Sequence, residues 1–386
     1  MKKKIVFVIN RLGIGGVERS LVSLCNSLCE RFDLSILIID RKSVDLIGEL
    51  SPSIEYQYAN KAVSSYMKSD KLAKSELNVL QNLYKAFIRF LDLIHLKKRY
   101  ELFIARKMRH IKCDIVVSYT GYPGVWDSVV ESINATNRLV YIHNNPYALN
   151  LNKINIAVYY QRFDIILCVS RDIKDKMISL SSDIADKLYV SYNLINKKLI
   201  DEKSREPNPF IKDGKKKIIT IARIENRSKR FDRIINVVKT MINKGYSNFS
   251  WHIIGDGIDR GQLVKWITEE HLQDYIILEG YQDNPYKYIK NADLFVLTSD
   301  YEGLPVTLME VRYLNVIAIT TCFSCATEII DNGITGYVCD FNTDTIANTI
   351  IAVLFNENEK KRLISSLESN KVELMGEFDY SSLYQN

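Results

Sequence analysis

Two carboxylates stand eight residues apart in "TSDYEGLPVTLMEVRYLNV", residues 298–316, a stretch that is otherwise largely apolar. Glu302 precedes a Gly-Leu-Pro turn, and the proline suits the first position of a helix. Glu310 then falls about a turn and a half into that helix, among apolar side chains. A buried carboxylate needs a partner, which two ligand hydroxyls can provide. The alternative is an exposed helical Glu310 that pairs with Arg312 or Lys290.

A basic loop, "ARIENRSKRFDRII" at 222–235, follows the strand-like run "KKKIITI" and carries Arg223 and Lys229 six residues apart. A guanidinium offers a planar fork of donors and an ammonium group acts as a point charge, so the pair suits the oxygens of a pyrophosphate. The alternative is a solvated basic face with no ligand.

The first loop, "NRLGIGGVERS" at 10–20, lies between a predicted strand and a predicted helix. Gly15 and Gly16 would let backbone amides approach a phosphate at the positive end of the helix. A dinucleotide fingerprint requires glycine at position 18, where Glu18 stands, so nicotinamide binding is not favoured. The alternative is that the glycines only permit a tight turn.

The chain predicts two parallel α/β units. Apolar, β-branched runs alternate with segments of helical period, and the pattern starts afresh at 215, where "KKKIITIARI" resembles the opening "KKKIVFVINR". The polar stretch at 195–217 predicts a linker, so the domains are predicted as 1–199 and 200–386, with the last helix packing back on the first domain. Ligands of such sheets lie beyond the carboxyl ends of the strands, and two facing units would form a cleft.

Composition excludes several protein classes. With 47% hydrophobic and 25% charged residues in a chain of 386, the protein is predicted to be globular and soluble. The apolar run after the basic opening is too short for a signal peptide, which predicts a cytoplasmic location. Cys322 and Cys325 form a CxxC without a second cysteine pair, so no metal site is predicted.

Five motifs occur in order: GGxER in the first loop, Arg and Lys six apart, "IIGDG", E-x7-E after a strand, and "TEIIDNGITGYV". Together they resemble the retaining GT-B glycosyltransferases of the glycogen-synthase-like family 4, over nearly the whole chain. The resemblance implies an α/β GT-B fold of two Rossmann-like domains facing across a cleft. It also implies a nucleotide-sugar donor held mainly by the second domain, no other cofactor and no metal ion.

The resemblance assigns the donor-binding residues. Arg223 and Lys229 would neutralise the donor diphosphate, and Gly15 and Gly16 would approach it from the other domain. Glu310 would bind the ribose hydroxyls.

It also assigns the reacting centre. Glu302 would lie beside the sugar ring as an electrostatic partner of the positive charge that develops there, a role favoured over that of covalent nucleophile. Backbone amides near Gly303 and Leu304 would contact sugar hydroxyls. His143, in "VYIHNN", would lie near the reacting atoms; the alternative is a structural histidine.

The sequence departs from the family at three places. Arg230 stands where glycine usually follows the lysine, Leu194 follows Asn193 where glycine is common, and Ser324 with Cys325 replaces a pair of small residues. None of these changes removes an assigned charge, so an active enzyme is predicted.

Residues 83–112 hold nine Lys or Arg against two acidic residues, with apolar residues at helical spacing. This pattern predicts contact with an anionic membrane surface, with Lys97, Lys98 and Arg99 as its basic residues. The alternative is a helix that packs its apolar face on the sheet. Nucleic acid is not favoured, because no nucleic-acid motif accompanies the charge.

The N-terminal half is similar to bacterial enzymes that build O-antigen or capsule on undecaprenyl diphosphate. The leading hypothesis is therefore a retaining transferase that uses a UDP-sugar and a lipid-linked saccharide, in the cytoplasm or peripherally on the inner face of the plasma membrane. Two alternatives stay open: a nucleotide-sugar 2-epimerase of the same fold, and a non-catalytic nucleotide-sugar-binding partner in polysaccharide assembly.

Overall fold

The structure, a computed structural model, describes residues 2–41, 44–71, 79–120, 123–370, 376 and 378–384. The chain divides into two compact units, Met1–Leu194 with Gly376–Asn386, and Ile195–Met375. The division therefore falls between Leu194 and Ile195, slightly before the predicted boundary at 200.

The first unit is a parallel sheet with helical crossovers. Its described strands are β1 Lys4–Ile9, β2 Asp33–Ile38, β3 Glu55–Tyr58, β4 Lys112–Ser118, β5 Asn134–Ile142, β6 Ile165–Cys168 and β7 Leu188–Val190, in the order β3-β2-β1-β4-β5-β6-β7. Its described helices are α1 Gly16–Leu28, α2 Lys61–Lys71, α3 Val79–Leu93, α4 Lys97–Ala105, α5 Val125–Ser132, α6 Ile156–Tyr160 and α7 Arg171–Leu180.

The second unit repeats this arrangement. Its described strands are β8 Lys216–Ile221, β9 Phe249–Ile254, β10 Ile276–Gly280, β11 Leu294–Leu297, β12 Ala318–Thr321 and β13 Gly336–Cys339, in the order β10-β9-β8-β11-β12-β13. Its described helices are α8 Lys197–Lys203, α9 Asn226–Lys229, α10 Phe231–Asn243, α11 Arg260–Glu269, α12 Tyr286–Asn291, α13 Val306–Tyr313, α14 Thr343–Leu354 and α15 Glu357–Ser369.

Each sheet has one switch point where the strand order reverses, between β1 and β4 in the first unit and between β8 and β11 in the second. The apolar runs form these central strands because parallel strands covered by helices are buried on both faces. β9, for example, is buried along its whole length. Ligands of open α/β sheets bind beyond the carboxyl ends of the strands at such switch points.

The predicted linker is partly helical. Lys197–Lys203 forms α8, with the Asn196 side chain accepting a hydrogen bond from the Leu199 amide as its N-cap. Ile200 is the buried apolar residue of this helix, and the Asn284 side chain donates to the Lys203 carbonyl at 2.8 Å. The stretch therefore belongs to the second unit.

The end of the chain lies in the first unit. The Tyr380 and Tyr141 hydroxyls are 2.8 Å apart, and the Phe378 amide donates to Ser191 Oγ at 3.1 Å. The last long helix, α15, belongs instead to the second unit. In the ranges described above, no helix combines the length and apolar character needed to cross a bilayer.

Candidate functional site

The second unit brings two of the predicted loops together at its switch point. Strands β8 and β11 are paired in parallel, so their carboxyl ends lie at the same edge of the sheet. The basic loop with Arg223 and Lys229 follows β8, and the loop with Glu302 follows β11. The fold thus places the loop with Arg223 and Lys229 next to the loop with Glu302.

Lys229 and Glu302 are in direct contact. Lys229 Nζ donates to Glu302 Oε1 at 2.5 Å, and Ser299 Oγ donates to the same oxygen at 2.6 Å. The side chains are 22% and 11% exposed, respectively. A partly buried ion pair is screened less by salt than a surface pair.

Hydrogen bonds from the β11 side hold the lysine-bearing loop. Thr298 Oγ1 lies 3.0 Å from the Lys229 carbonyl oxygen and 3.2 Å from that of Arg230. The Asp300 amide donates to the Ser228 carbonyl at 2.8 Å. The position of Lys229 is therefore fixed by the segment after β11, which also carries Glu302.

Arg230 adopts a backbone conformation that is unusual for a residue with a side chain. Its φ of 55° lies in the left-handed region, which glycine adopts without strain. Its guanidinium bonds both carboxylate oxygens of Asp232 and, at 2.8 Å, one oxygen of Asp300. These two carboxylates raise the pKa of Arg230. Burial acts to raise the pKa of Asp300, but Arg230 and Arg233 hold it below its ordinary value. The ion pairs with Asp232 and Asp300 thus offset the backbone strain at Arg230.

We expect Arg230→Gly to leave a more stable protein than Arg230→Ala, by about 1 kcal/mol in the free energy of unfolding. Both changes remove the ion pairs, but only alanine keeps the left-handed strain. Urea unfolding followed by circular dichroism measures the difference. Equal stability of the two variants, or a more stable alanine variant, would contradict this explanation.

The glycines of "IIGDG" let two loops approach closely. A Cβ on Gly255, whose φ is 141°, would lie 2.0 Å from the Ala222 carbonyl oxygen. A Cβ on Gly257 would lie 2.2 Å from the Ile224 carbonyl oxygen. The two glycines therefore leave room for the carbonyl groups of Ala222 and Ile224, the residues on either side of Arg223.

Glu310 is buried on α13, with 6% of its surface exposed, so the alternative of an exposed helical residue is wrong. The Tyr286 hydroxyl donates to Glu310 Oε1 at 3.0 Å. Arg312, proposed as its partner in that alternative, donates to the carbonyls of Leu367 and Asn370. Tyr286 was not predicted, because nothing in its sequence context indicates that α12 lies beside α13.

The other residues of the second unit that the sequence predicted to bind the donor lie in the same two loops. Arg223 is exposed just after β8, and Gly303 and Leu304 are buried in the turn before α13. Among the described residues, Arg223 forms no ion pair, in contrast to Lys229. Its role at a diphosphate remains a prediction.

In the first unit, Gly15 is the N-cap of α1 and Gly16 is its first residue. The Glu18 carboxylate turns back toward Gly15, where a Cβ would lie 2.2 Å from Glu18 Oε2. Arg11 Nε donates to the other oxygen of Glu18 at 3.1 Å. A side chain at position 15 would therefore require the Glu18 carboxylate to move, and contact of these glycines with a phosphate stays a prediction.

His143 follows β5 and is enclosed by aromatic rings. Its ring lies parallel to that of Tyr141, at 9° and 5.4 Å between centroids, and 4.4 Å from that of Tyr119. Burial lowers the pKa of His143 to about 3, against a smaller opposing effect of the Tyr119 backbone, so the imidazole is neutral at pH 7.

Among the described residues, Asn10 Oδ1 after β1, Thr120 Oγ1 after β4 and both ring nitrogens of His143 are buried without a hydrogen bond of good geometry. Buried polar atoms are usually paired, so such groups at the carboxyl edge of a sheet indicate a ligand site. Asn10 and Thr120 were not predicted as site residues, although each is the last residue of an apolar run that predicts a strand.

Within the described part of the chain, no group of three or more His, Cys, Asp or Glu side chains is arranged to hold a metal ion. Cys322 is exposed and Cys325 is buried, with its thiol 3.9 Å from the Glu302 carbonyl oxygen.

The fold is that of the GT-B glycosyltransferases. The structure matches TarM of S. aureus with a TM-score of 0.73 over 97% of both chains, at 14% identity. It matches HepE of Anabaena, determined with UDP and glucose, with a TM-score of 0.73 over 97% of this chain and 96% of that one, at 13% identity. Residues 201–368, within the second unit, match the sequence model of the family "Glycosyl transferases group 1".

Two Campylobacter jejuni relatives extend the similarity into the first unit. The chain is 24% identical over 314 residues, 80% of its length and 78% of the relative's, to N-acetylgalactosamine-N,N'-diacetylbacillosaminyl-diphospho-undecaprenol 4-alpha-N-acetylgalactosaminyltransferase. It is 24% identical over 377 residues, 94% of its length and 92% of the relative's, to a GalNAc-alpha-(1->4)-GalNAc-alpha-(1->3)-diNAcBac-PP-undecaprenol alpha-1,4-N-acetyl-D-galactosaminyltransferase. Both relatives are named for transfer to a saccharide on undecaprenyl diphosphate.

Proposed function

We propose that this glycosyltransferase moves a sugar from a UDP-sugar to a saccharide linked to undecaprenyl diphosphate, with retention of the anomeric configuration. The observation that carries the proposal is the contact of Lys229 with Glu302 at the switch point of the second unit, at 2.5 Å. An anion-binding cation next to a carboxylate suits a reaction that separates a diphosphate from a sugar.

The two charges serve the two fragments of the breaking bond. The leaving nucleoside diphosphate gains negative charge, which Lys229 and Arg223 stabilise. The sugar becomes oxocarbenium-like, and the Glu302 carboxylate stabilises its positive charge. The diphosphate competes with Glu302 for Lys229, so donor binding shifts the lysine toward phosphate and turns the carboxylate toward the sugar.

Glu310 holds the nucleoside. Its buried carboxylate accepts a hydrogen bond from Tyr286, and an ionised carboxylate can accept several hydrogen bonds, so it can also accept from ribose hydroxyls. Backbone amides near Gly303 and Leu304 bind the sugar in the same proposal. Lys229 and Arg223 take the charge-neutralising role that a metal ion has in other transferases, so the proposed reaction needs no metal ion or other cofactor.

The acceptor is inferred from the relatives. Both Campylobacter enzymes are named for undecaprenyl-diphosphate-linked acceptors, and a neutral His143 with unpaired ring nitrogens suits contact with hydroxyl groups. Such an acceptor lies at a membrane, so the proposal includes a cytoplasmic enzyme bound peripherally to the inner face of the plasma membrane, acting in surface polysaccharide synthesis.

The test is to incubate the protein with a panel of α-linked UDP-sugars and undecaprenyl-diphosphate-linked saccharides. The proposal predicts an extended lipid-linked product whose new linkage is α by NMR. A β linkage would contradict retention. A changed sugar nucleotide formed without acceptor would show an epimerase, and nucleotide binding without turnover on any acceptor would show a non-catalytic partner.

A further inference from the structure

The last described segment of the chain, residues 378–384, is anchored in the first unit by a buried tyrosine. Tyr380 is fully buried, and its ring meets the rings of Phe7 in β1 and Phe378 edge-on, at 6.2 and 5.4 Å between centroids. Aromatic pairs favour this geometry. Burial raises the pKa of Tyr380, so its hydroxyl stays protonated at neutral pH. Tyr380 is therefore held in one place as a neutral hydrogen-bonding group.

A chain of hydrogen bonds links this segment to Tyr141 of β5. The Phe378 amide donates to Ser191 Oγ at 3.1 Å, and Ser191 Oγ lies 2.9 Å from the Tyr141 hydroxyl. The Tyr141 hydroxyl in turn lies 2.8 Å from that of Tyr380. A hydroxyl both donates and accepts, so the groups can be satisfied in sequence. The C-terminal segment thus holds the hydroxyl end of the Tyr141 side chain from two sides.

Tyr141 determines the surroundings of His143. The two residues are two positions apart along an extended chain, so their side chains lie on one face of the sheet. Their rings are parallel within 9°, and the Tyr119 ring packs 4.6 Å from that of Tyr141. Within the described part of the chain, neither ring nitrogen of His143 has a hydrogen bond of good geometry. The orientation of the imidazole therefore depends on its aromatic neighbours.

We propose that Tyr380 is a positioning residue, which fixes the imidazole of His143 through Tyr141. A side chain that contacts substrate must be held closely in its productive geometry, and neighbouring residues supply that restraint. The inference rests on the proposed function in one respect, since there His143 contacts hydroxyl groups of the acceptor. The competing explanation is that Tyr380 only fills apolar space, and it predicts a loss of stability without any change at His143.

The experiment is an NMR spectrum of the full chain with ¹³C-labelled histidine rings. The chain has five histidines, and His143→Gln identifies the signal of His143. We expect this signal to lie upfield of those of exposed histidines, because the face of the Tyr141 ring shields it. Tyr380→Phe keeps the packed ring and removes the hydrogen bond at 2.8 Å. We expect it to move the His143 signal and to leave the other histidine signals in place.

A double-mutant cycle tests whether Tyr380 acts through Tyr141. Tyr141→Phe keeps the ring beside His143 and removes both of its hydroxyl contacts, so it should move the His143 signal at least as far as Tyr380→Phe does. The double variant should resemble Tyr141→Phe alone, because both single changes break the same hydrogen bond. Additive displacements would show that Tyr380 acts independently of Tyr141 and would overturn the inference.

The matched control is Tyr189→Phe. Tyr189 is 45% exposed, and its ring packs 5.7 Å from that of Phe378, so it touches the same segment. Its hydroxyl is not a member of the chain of hydrogen bonds that reaches Tyr141. The His143 signal of this variant should coincide with that of the wild type.

Transfer rates supply the second measurement. At saturating donor and acceptor, Tyr380→Phe should be about tenfold slower than the wild type, because a misplaced group slows a reaction without abolishing it. Its UDP affinity should be unchanged, since Glu310 and Lys229 belong to the second unit. An unmoved His143 signal in Tyr380→Phe would overturn the inference, and so would a moved signal with wild-type turnover. If the wild type transfers no sugar, the proposed function fails, and the NMR signals alone decide the role of Tyr380.

Discussion

Glu302→Gln is expected to bind UDP and yet to lose sugar transfer by at least about 100-fold, the scale seen when one electrostatic stabiliser of a transition state is removed. Glutamine keeps the shape of the side chain and can still accept hydrogen bonds from Ser299 and Lys229. It lacks the negative charge that the developing oxocarbenium ion requires. Calorimetry measures the binding, and initial rates with saturating donor measure the transfer.

Ser299→Ala is the matched control for this variant. It removes the hydrogen bond that reaches Glu302 Oε1 at 2.6 Å but leaves the charge in place. Its loss of transfer should therefore be much smaller than that of Glu302→Gln. Full turnover by Glu302→Gln would refute the role of the carboxylate at the sugar.

Glu310→Gln is expected to weaken UDP binding about 10- to 100-fold, because hydrogen bonds to a charged group contribute roughly 1.5–3 kcal/mol. The carboxylate is buried, so water does not replace the lost interaction with the ribose hydroxyls. The maximal rate at saturating donor should change less than the affinity. Calorimetric titration with UDP, together with the KM for the sugar nucleotide, checks both statements.

Tyr286→Phe is the control for Glu310. It removes the hydrogen bond at 3.0 Å that orients the carboxylate but leaves the acceptor oxygens. A smaller loss of affinity than in Glu310→Gln separates ribose binding from a purely structural role. Unchanged affinity in a folded Glu310→Gln variant would remove Glu310 from the donor site.

The sequence predicted the parts of the site that depend on local pattern. The apolar runs became central strands, and the loops after β8 and β11 met because parallel neighbours end at one edge of the sheet. The burial of Glu310 followed from its apolar neighbours on one helix.

Contacts between distant segments were not predictable. Tyr286 reaches Glu310 from another helix, and Asp300 stabilises Arg230 across 70 residues of chain. α8 was missed because it is short and polar, with Ile200 as its buried apolar residue. In the first unit, Tyr119 follows β4 and Tyr141 lies in β5, and both rings pack against His143. This contact depends on the pairing of β4 with β5, which the sequence does not specify.

Calorimetric titration with UDP, GDP, ADP and TDP tests the donor site on the purified protein, on Arg223→Ala and Lys229→Ala, and on the control Arg227→Ala. Arg227 is exposed in the same loop and has no assigned role. We predict that UDP binds, at least about tenfold more weakly to the Arg223 and Lys229 variants and normally to the control. Binding of none of the nucleotides, or equal UDP affinity in all variants, would contradict a donor site at this switch point.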